Sequence, residues 1–196
     1  MHPKTIAVDE FNNQMDFPFL MKNKFSQGSK GVFLIEDNDD YQYYKKKYPD
    51  SIIQEIVGDS ENEFTIALFS DGETFHSIAF RRILGYEGLS KFVRLVKDCK
   101  IDDLATKIGK ALNLRGDINI QVRRNHEGNY IPFEINPRIS STLAFRHYFG
   151  FEDLKWWINL ACENEDEVFY ESKYADGVGV KTVSEVYFDL KEDINE

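Results

Sequence analysis

Four polar side chains, Gln121, Glu134, Asn136 and Arg138, sit in two runs that otherwise carry the pattern of core β-strands, and their types suit a hard cation held beside an oxyanion. In residues 117–123, Ile118, Ile120 and Val122 alternate with Asn119, Gln121 and Arg123, so one face is apolar and the other polar. In residues 131–138, Ile131, Phe133 and Ile135 are set against Glu134, Asn136 and Arg138. The intervening Asn125-His-Glu-Gly-Asn129 has hairpin turn chemistry, which brings the two polar faces side by side in one antiparallel pair. A carboxylate and two amide oxygens suit Mg²⁺, which takes oxygen ligands and keeps phosphate oxygens and water as well. The planar fork of Arg138 suits an oxyanion such as phosphate. The same alternation also describes the solvated face of a half-exposed hairpin, so other segments have to decide between the two.

Lys22 is the next group with chemistry to offer. It closes the apolar run 18–22 and precedes a polar segment, 25–31, with glycines at 28 and 31. Glycines let backbone amides approach phosphate oxygens closely, and a nearby ammonium neutralises their charge. A lysine at a strand end can equally snorkel to solvent, and the segment lacks the Gly-Lys-Ser/Thr ending of a Walker loop. Arg81, Arg82 and Arg94 could bind an acidic substrate or form surface ion pairs. His76, His126 and His147 show no ligand spacing, Cys99 and Cys162 lie far apart, and Trp156 and Trp157 read as helix-packing residues.

The elements that must position these groups are strands at both ends of a helix. An apolar run at 32–35 follows the glycine segment. Asp37-Asn-Asp-Asp40 opens a helix that carries Lys45, Lys46 and Lys47 in its last turn and stops before Pro49. Residues 52–57 read as a strand, and 63–69 pairs through Asp71-Gly72 with a run ending near Arg82. Ile101, Leu104, Ile108 and Leu112 mark an amphipathic helix. Beyond the hairpin, Ser140-Ser-Thr142 opens another helix, a further helix runs from about Phe151 to Cys162, and residues 177–183 read as a returning strand.

At 196 residues the chain is one domain or two tightly joined lobes, and 42% hydrophobic residues, with sixteen phenylalanines and ten tyrosines, place it among folded globular proteins. A net charge of −10 argues against a broad nucleic-acid surface, which needs clustered Lys and Arg to displace counterions. No apolar run approaches a membrane span and no signal peptide precedes the chain, so the expected location is the cytoplasm, with reduced thiols.

Taken in order, these segments resemble the ATP-grasp superfamily, and most closely its carbamoyl-phosphate-synthetase-like branch. Phe17-Pro-Phe-Leu-Met-Lys22 is similar to the strand with the phosphate-binding lysine, and Ser26-Gln-Gly-Ser-Lys-Gly31 to the glycine loop. Gln54-Glu55-Ile-Val-Gly58 resembles the adenine hinge, Glu63-Phe-Thr-Ile-Ala-Leu the strand with the ribose glutamate, and Asn119-Ile-Gln121 with Phe133-Glu-Ile-Asn-Pro-Arg138 the metal-binding strands. The resemblance spans roughly residues 17–150. It implies an α+β fold of two lobes with antiparallel sheets and packed helices, divided into residues 1–16 as the end of an upstream region, 17–58 as a small nucleotide-binding lobe, and 59–196 as a large lobe for metal and ATP.

It further implies ATP and Mg²⁺ (or Mn²⁺) as cofactors. Lys22, Gly28, Ser29 and Gly31 go to the phosphates, Gln54, Glu55, Ile56 and Val57 to adenine, and Glu63 to ribose. Gln121, Glu134 and Asn136 go to the metal, with Asn136 and Arg138 acting in catalysis. The implied activity is a carboxylate–amine ligase working through an acyl phosphate on small-molecule substrates. Carbamoyl phosphate synthesis and a non-catalytic nucleotide-binding fragment are the alternatives. Only about sixteen residues precede the Lys22 strand, so the resemblance also implies a missing N-terminal domain or a partner chain, with a homodimer as one way to cover the exposed face.

Overall fold

Eleven short strands build two antiparallel sheets in a computed structural model that describes residues 2–25, 30–85, 90–163, 168, 170–182 and 185–188. The smaller sheet contains β1 (Thr5–Ala7), β2 (Phe19–Asn23), β3 (Val32–Ile35) and β4 (Ser51–Gln54), in the order β1-β4-β2-β3. Helix α1 (Asn38–Lys47) packs on it and starts where the acidic pattern placed it: Asp37 accepts from the backbone N–H groups of Asp39 and Asp40, both at 2.9 Å. Phe19, Met21, Ile35, Tyr41 and Ile53 form its core with Val8 and Phe11. Residues before 17, expected to end an upstream region, thus supply a strand and two core side chains here. The strand read over 52–57 ends at Gln54; Glu55 N–H still donates to the Lys4 carbonyl at 3.0 Å, in register with the β1–β4 pairing, and the ladder goes no further.

The larger sheet is built from β5 (Glu63–Ser70), β6 (Phe75–Leu84), β7 (Ser90–Val96), β8 (Gly116–Arg124), β9 (Tyr130–Asn136), β10 (Val178–Lys181) and β11 (Glu185–Phe188), in the order β11-β10-β7-β6-β5-β8-β9. Every residue of β5 is buried, because both faces of this central strand are covered. On one face Phe64, Ile66 and Leu68 meet Ile101 and Ala105 of α2 (Cys99–Ala111). On the other, Ala67 and Phe69 pack with Phe145, Phe149, Phe151 and Trp156, which come from α3 (Leu143–Tyr148), α4 (Asp153–Ala161) and their connection. A buried charge cluster joins that layer to the sheet: Arg146 Nη1 lies 2.6 Å from Asp153 and 3.6 Å from Asp117. The expected α+β architecture with antiparallel sheets and packed helices is the one observed.

The chain passes from the smaller sheet to the larger once, between β4 and β5, through a 3₁₀ turn at Ser60–Asn62. Gly58 lies in this crossing with φ +54, and a Cβ there would approach the Arg124 carbonyl oxygen to 2.5 Å. Only glycine fits both the left-handed backbone and that contact. No helix of the described residues is long and apolar enough to cross a membrane.

Candidate functional site

A cleft between the two sheets is lined by Lys22, Gln54, Glu55, Val57, Glu63, Gln121, Glu134 and Arg138, eight of the residues singled out from the sequence. Lys22 comes from β2 and faces the large lobe. Its Nζ donates to Gln54 Oε1 at 2.6 Å, and Gln54 Nε2 in turn donates to Thr5 Oγ1 at 3.1 Å, so three strands of the small sheet fix the ammonium. Burial lowers the Lys22 pKa, Glu134 works in the opposite sense, and Arg123 lowers it further. A partly desolvated ammonium gains by receiving an anion, which replaces the hydration it has lost.

The hairpin register brings the ladder together. Gln121 pairs with Glu134 and Asn119 with Asn136, so these side chains share one face. The register then slips between Gln121 and Val122, leaving Phe133 without a paired residue. Phe133 was expected on the apolar face with Ile131 and Ile135. The bulge instead places it in the cleft, where Lys22 Nζ and Arg123 Cζ each stand 5.3 Å from its ring centroid.

Glu134 is exposed, and its Oε1 accepts from Asn136 Nδ2 at 2.7 Å and from Gln121 Nε2 at 3.5 Å. Gln121 Oε1 accepts from Arg82 Nη2 at 2.8 Å, so the amide must turn before that oxygen can ligate a cation. Among the described residues there is no group of three or more His, Cys, Asp or Glu side chains that could hold a metal ion. The donor set is one carboxylate with two amides, which fits a cation that brings phosphate oxygens and water with it and does not fit an all-protein cage.

Glu63 is the most constrained group in the cleft. Its Oε1 accepts from Arg82 Nε at 3.0 Å and Nη2 at 2.5 Å, and its Oε2 accepts from Arg123 Nε and Nη2, both at 3.0 Å. Two guanidinium forks therefore occupy the carboxylate that the resemblance gives to ribose.

Other expected residues fall outside this cleft lining. Asn136 reaches the site through its bond to Glu134, and Ile56 is exposed and does not line the cleft. Gly31 ends the β2–β3 connection, its carbonyl accepting Asn23 N–H at 2.9 Å. Gly28 and Ser29 lie outside the described residues. Of the hinge amides offered to adenine, that of Glu55 is already held by the Lys4 carbonyl. Arg123 and Phe133 are cleft residues to which the sequence pattern alone assigns no role. Arg123 shares the alternation of Gln121 and could have been added on that ground, whereas nothing in the pattern marks the bulge.

A family model described as "ATP-grasp in the biosynthetic pathway with Ter operon" matches residues 47–186. Among solved structures, the chain is similar to a carboxyaminoimidazole ribonucleotide synthase from Aspergillus clavatus complexed with ATP, with TM-score 0.74 and 14% identity, covering 91% of this chain and 52% of that one. It also resembles the biotin carboxylase domain of the 2-oxoglutarate carboxylase of Hydrogenobacter thermophilus in complex with MgADP and bicarbonate, with TM-score 0.65 and 12% identity, covering 84% of this chain and 41% of that one. A third is an L-amino acid ligase from Bacillus licheniformis, with TM-score 0.66 and 13% identity, covering 92% of this chain and 49% of that one. The chain thus spans about half the length of these structures or less, and at such identities they share its fold. The family match extends over more than two thirds of the sequence and over both the crossing at Gly58 and the Gln121–Glu134 pair, and the chain belongs to the ATP-grasp family.

Proposed function

We propose that the chain is the ATP- and Mg²⁺-binding portion of a carboxylate–amine ligase that works through an acyl phosphate. The observation that carries this reading is the convergence, on one cleft between two antiparallel sheets, of a desolvated lysine, a carboxylate with two amides, and an arginine. Solved ATP-grasp structures of the same fold hold ATP or MgADP, which supports the same ligands here. In this reading residues 17–58 form the nucleotide-side lobe and 59–196 the metal-side lobe.

Lys22 binds the phosphates from the small lobe, and Glu134 and Asn136, with Gln121 once its amide turns, hold the cation. Bound by these residues, Mg²⁺ would supply positive charge to offset the negative charge that develops on the phosphoryl group. Arg138 supplies a planar fork to the phosphoryl group in transit. An oxygen of the substrate carboxylate attacks the γ-phosphorus, the bond to the β–γ bridging oxygen breaks, and ADP leaves. An amine then attacks the acyl carbon of the mixed anhydride, the carbon–oxygen bond breaks with release of phosphate, and the amine proton passes to solvent. The chain's own work is positioning and charge, which is what phosphoryl transfer requires. The remaining wall of the acceptor site is proposed to come from a further domain or a second chain.

Calorimetric titration of ATP, first with Mg²⁺ and then with excess chelator, tests the assignment. Binding should depend on the cation, and equal affinity in both conditions would remove Glu134 from the metal role. A coupled ADP-release assay with candidate carboxylates and amines then tests the reaction class.

A further inference from the structure

A second cavity, of about 600 Å³, lies beside the cleft where β6 runs on past the start of β5. Glu63, Leu84, Arg82 and Arg123 line both spaces and form the wall between them. Arg81, Arg94, Ile83, Phe92, Ser60 and Glu61 line the second cavity alone, two cations against one carboxylate. We propose that this cavity binds a small organic dianion, with its carboxylates on the arginines and its carbon chain on Ile83, Leu84 and Phe92.

Three observations converge on that ligand. Arg81 and Arg94 are directly opposed in the β6–β7 register, and like charges in that position destabilise a sheet unless something is placed between them. Second, the compensation within the chain is incomplete. Arg81 donates through Nε to the Glu61 carbonyl at 3.0 Å and makes no ion pair among the described residues, and Arg94 meets Asp176 at 2.7 Å on a half-exposed edge. Each guanidinium carries five N–H donors, so donors remain for a carboxylate even on Arg82 and Arg123, which already hold Glu63. This concentration of arginine stands out in a protein of net charge −10.

The third observation concerns shape and polarity. Ile83 is 61% and Leu84 39% exposed, although both follow the buried Arg82 on the same strand. Apolar side chains exposed beside cationic ones fit a ligand with hydrocarbon between its charges, and a volume of several hundred cubic ångströms is of the order found for small-molecule sites. Inorganic phosphate would use the arginines and leave that surface uncovered.

The test is a calorimetric series on the 196-residue chain with dicarboxylates from malonate to adipate, inorganic phosphate, and the uncharged diamide of the best dicarboxylate. One dicarboxylate should bind more tightly than phosphate, and its diamide should not bind. R81A and R94A should each weaken it by about tenfold or more, the cost of losing a charge-assisted bond, while leaving MgATP affinity unchanged. D176N should tighten it, because the carboxylate that competes for Arg94 is gone. Thermal melts accompany each variant, and the gain expected from D176N cannot come from unfolding. Binding by no member of the series, equal binding by R81A and R94A, or complete displacement of the dicarboxylate by MgATP would each overturn the proposal. Failure of MgATP to bind would count against the nucleotide reading alone.

Discussion

Glu63 holds two guanidinium groups, and its side chain is only 6% exposed. Removing its charge leaves Arg82, itself 7% exposed, with its main counter-charge lost. Glu63→Gln is therefore expected to cost about 3–5 kcal/mol of stability. Urea melts measure this, and a loss below 1 kcal/mol would mean that the arginines find other partners. Glu134 contrasts with it, since it is exposed and accepts its hydrogen bonds from two amides. Glu134→Gln should leave the melt unchanged and lower Mg²⁺-dependent nucleotide affinity by about 100-fold or more. Unaltered affinity would show the ladder to be a solvated face.

At the scale of elements, the crossing from β4 to β5 depends on Gly58. Gly58→Ala places a methyl group 2.5 Å from a backbone carbonyl and strains a positive φ, which should cost about 1–3 kcal/mol. Thermal denaturation checks it, and a neutral effect would mean that the hinge relaxes freely. The elements that carry the ladder were legible because a hairpin with a short turn obeys a two-residue period. Helices α1 and α2 were legible from their caps, charges and apolar spacing. The three-residue β1 is too short to show a period, and β7 carries Lys91 on one face and Arg94 on the other, which hides its alternation. The partners of Glu63 were not legible, because Arg82 and Arg123 reach it through strand pairings 19 and 60 residues away. Phe133 was misplaced because a bulge leaves no mark in a period-2 pattern.

For the whole molecule, the cluster of Asp117, Arg146 and Asp153 ties the α3–α4 layer to the large sheet. Burial pushes Asp117 up to about 8, Arg146 pulls it down, and Asp153 pushes it up again. The folded value lies above the 3.8 of the free side chain, so the proton favours the fold. That contribution is complete below 3.8 and is lost as pH rises through about 8. Between about pH 6 and pH 8 stability should fall by about 2 kcal/mol, several degrees in Tm. Asp117→Asn should flatten this dependence, and calorimetric scans with equal slopes for both proteins would remove Asp117 as the source.

The single passage of chain between the sheets also has a mechanical meaning. Gly58 rests against the Arg124 carbonyl at the end of β8, so it acts as a fulcrum, and the four small-lobe strands form a lever carried on one side of it. Displacement about a fulcrum grows with distance from it. If the smaller sheet turns there, Gln54 and Glu55, a few residues away, move through a short arc, while β3 at the edge of the sheet sweeps a longer one. In the proposed reading, contacts on the adenine side would then stay nearly constant while the gap facing the phosphates opens and shuts.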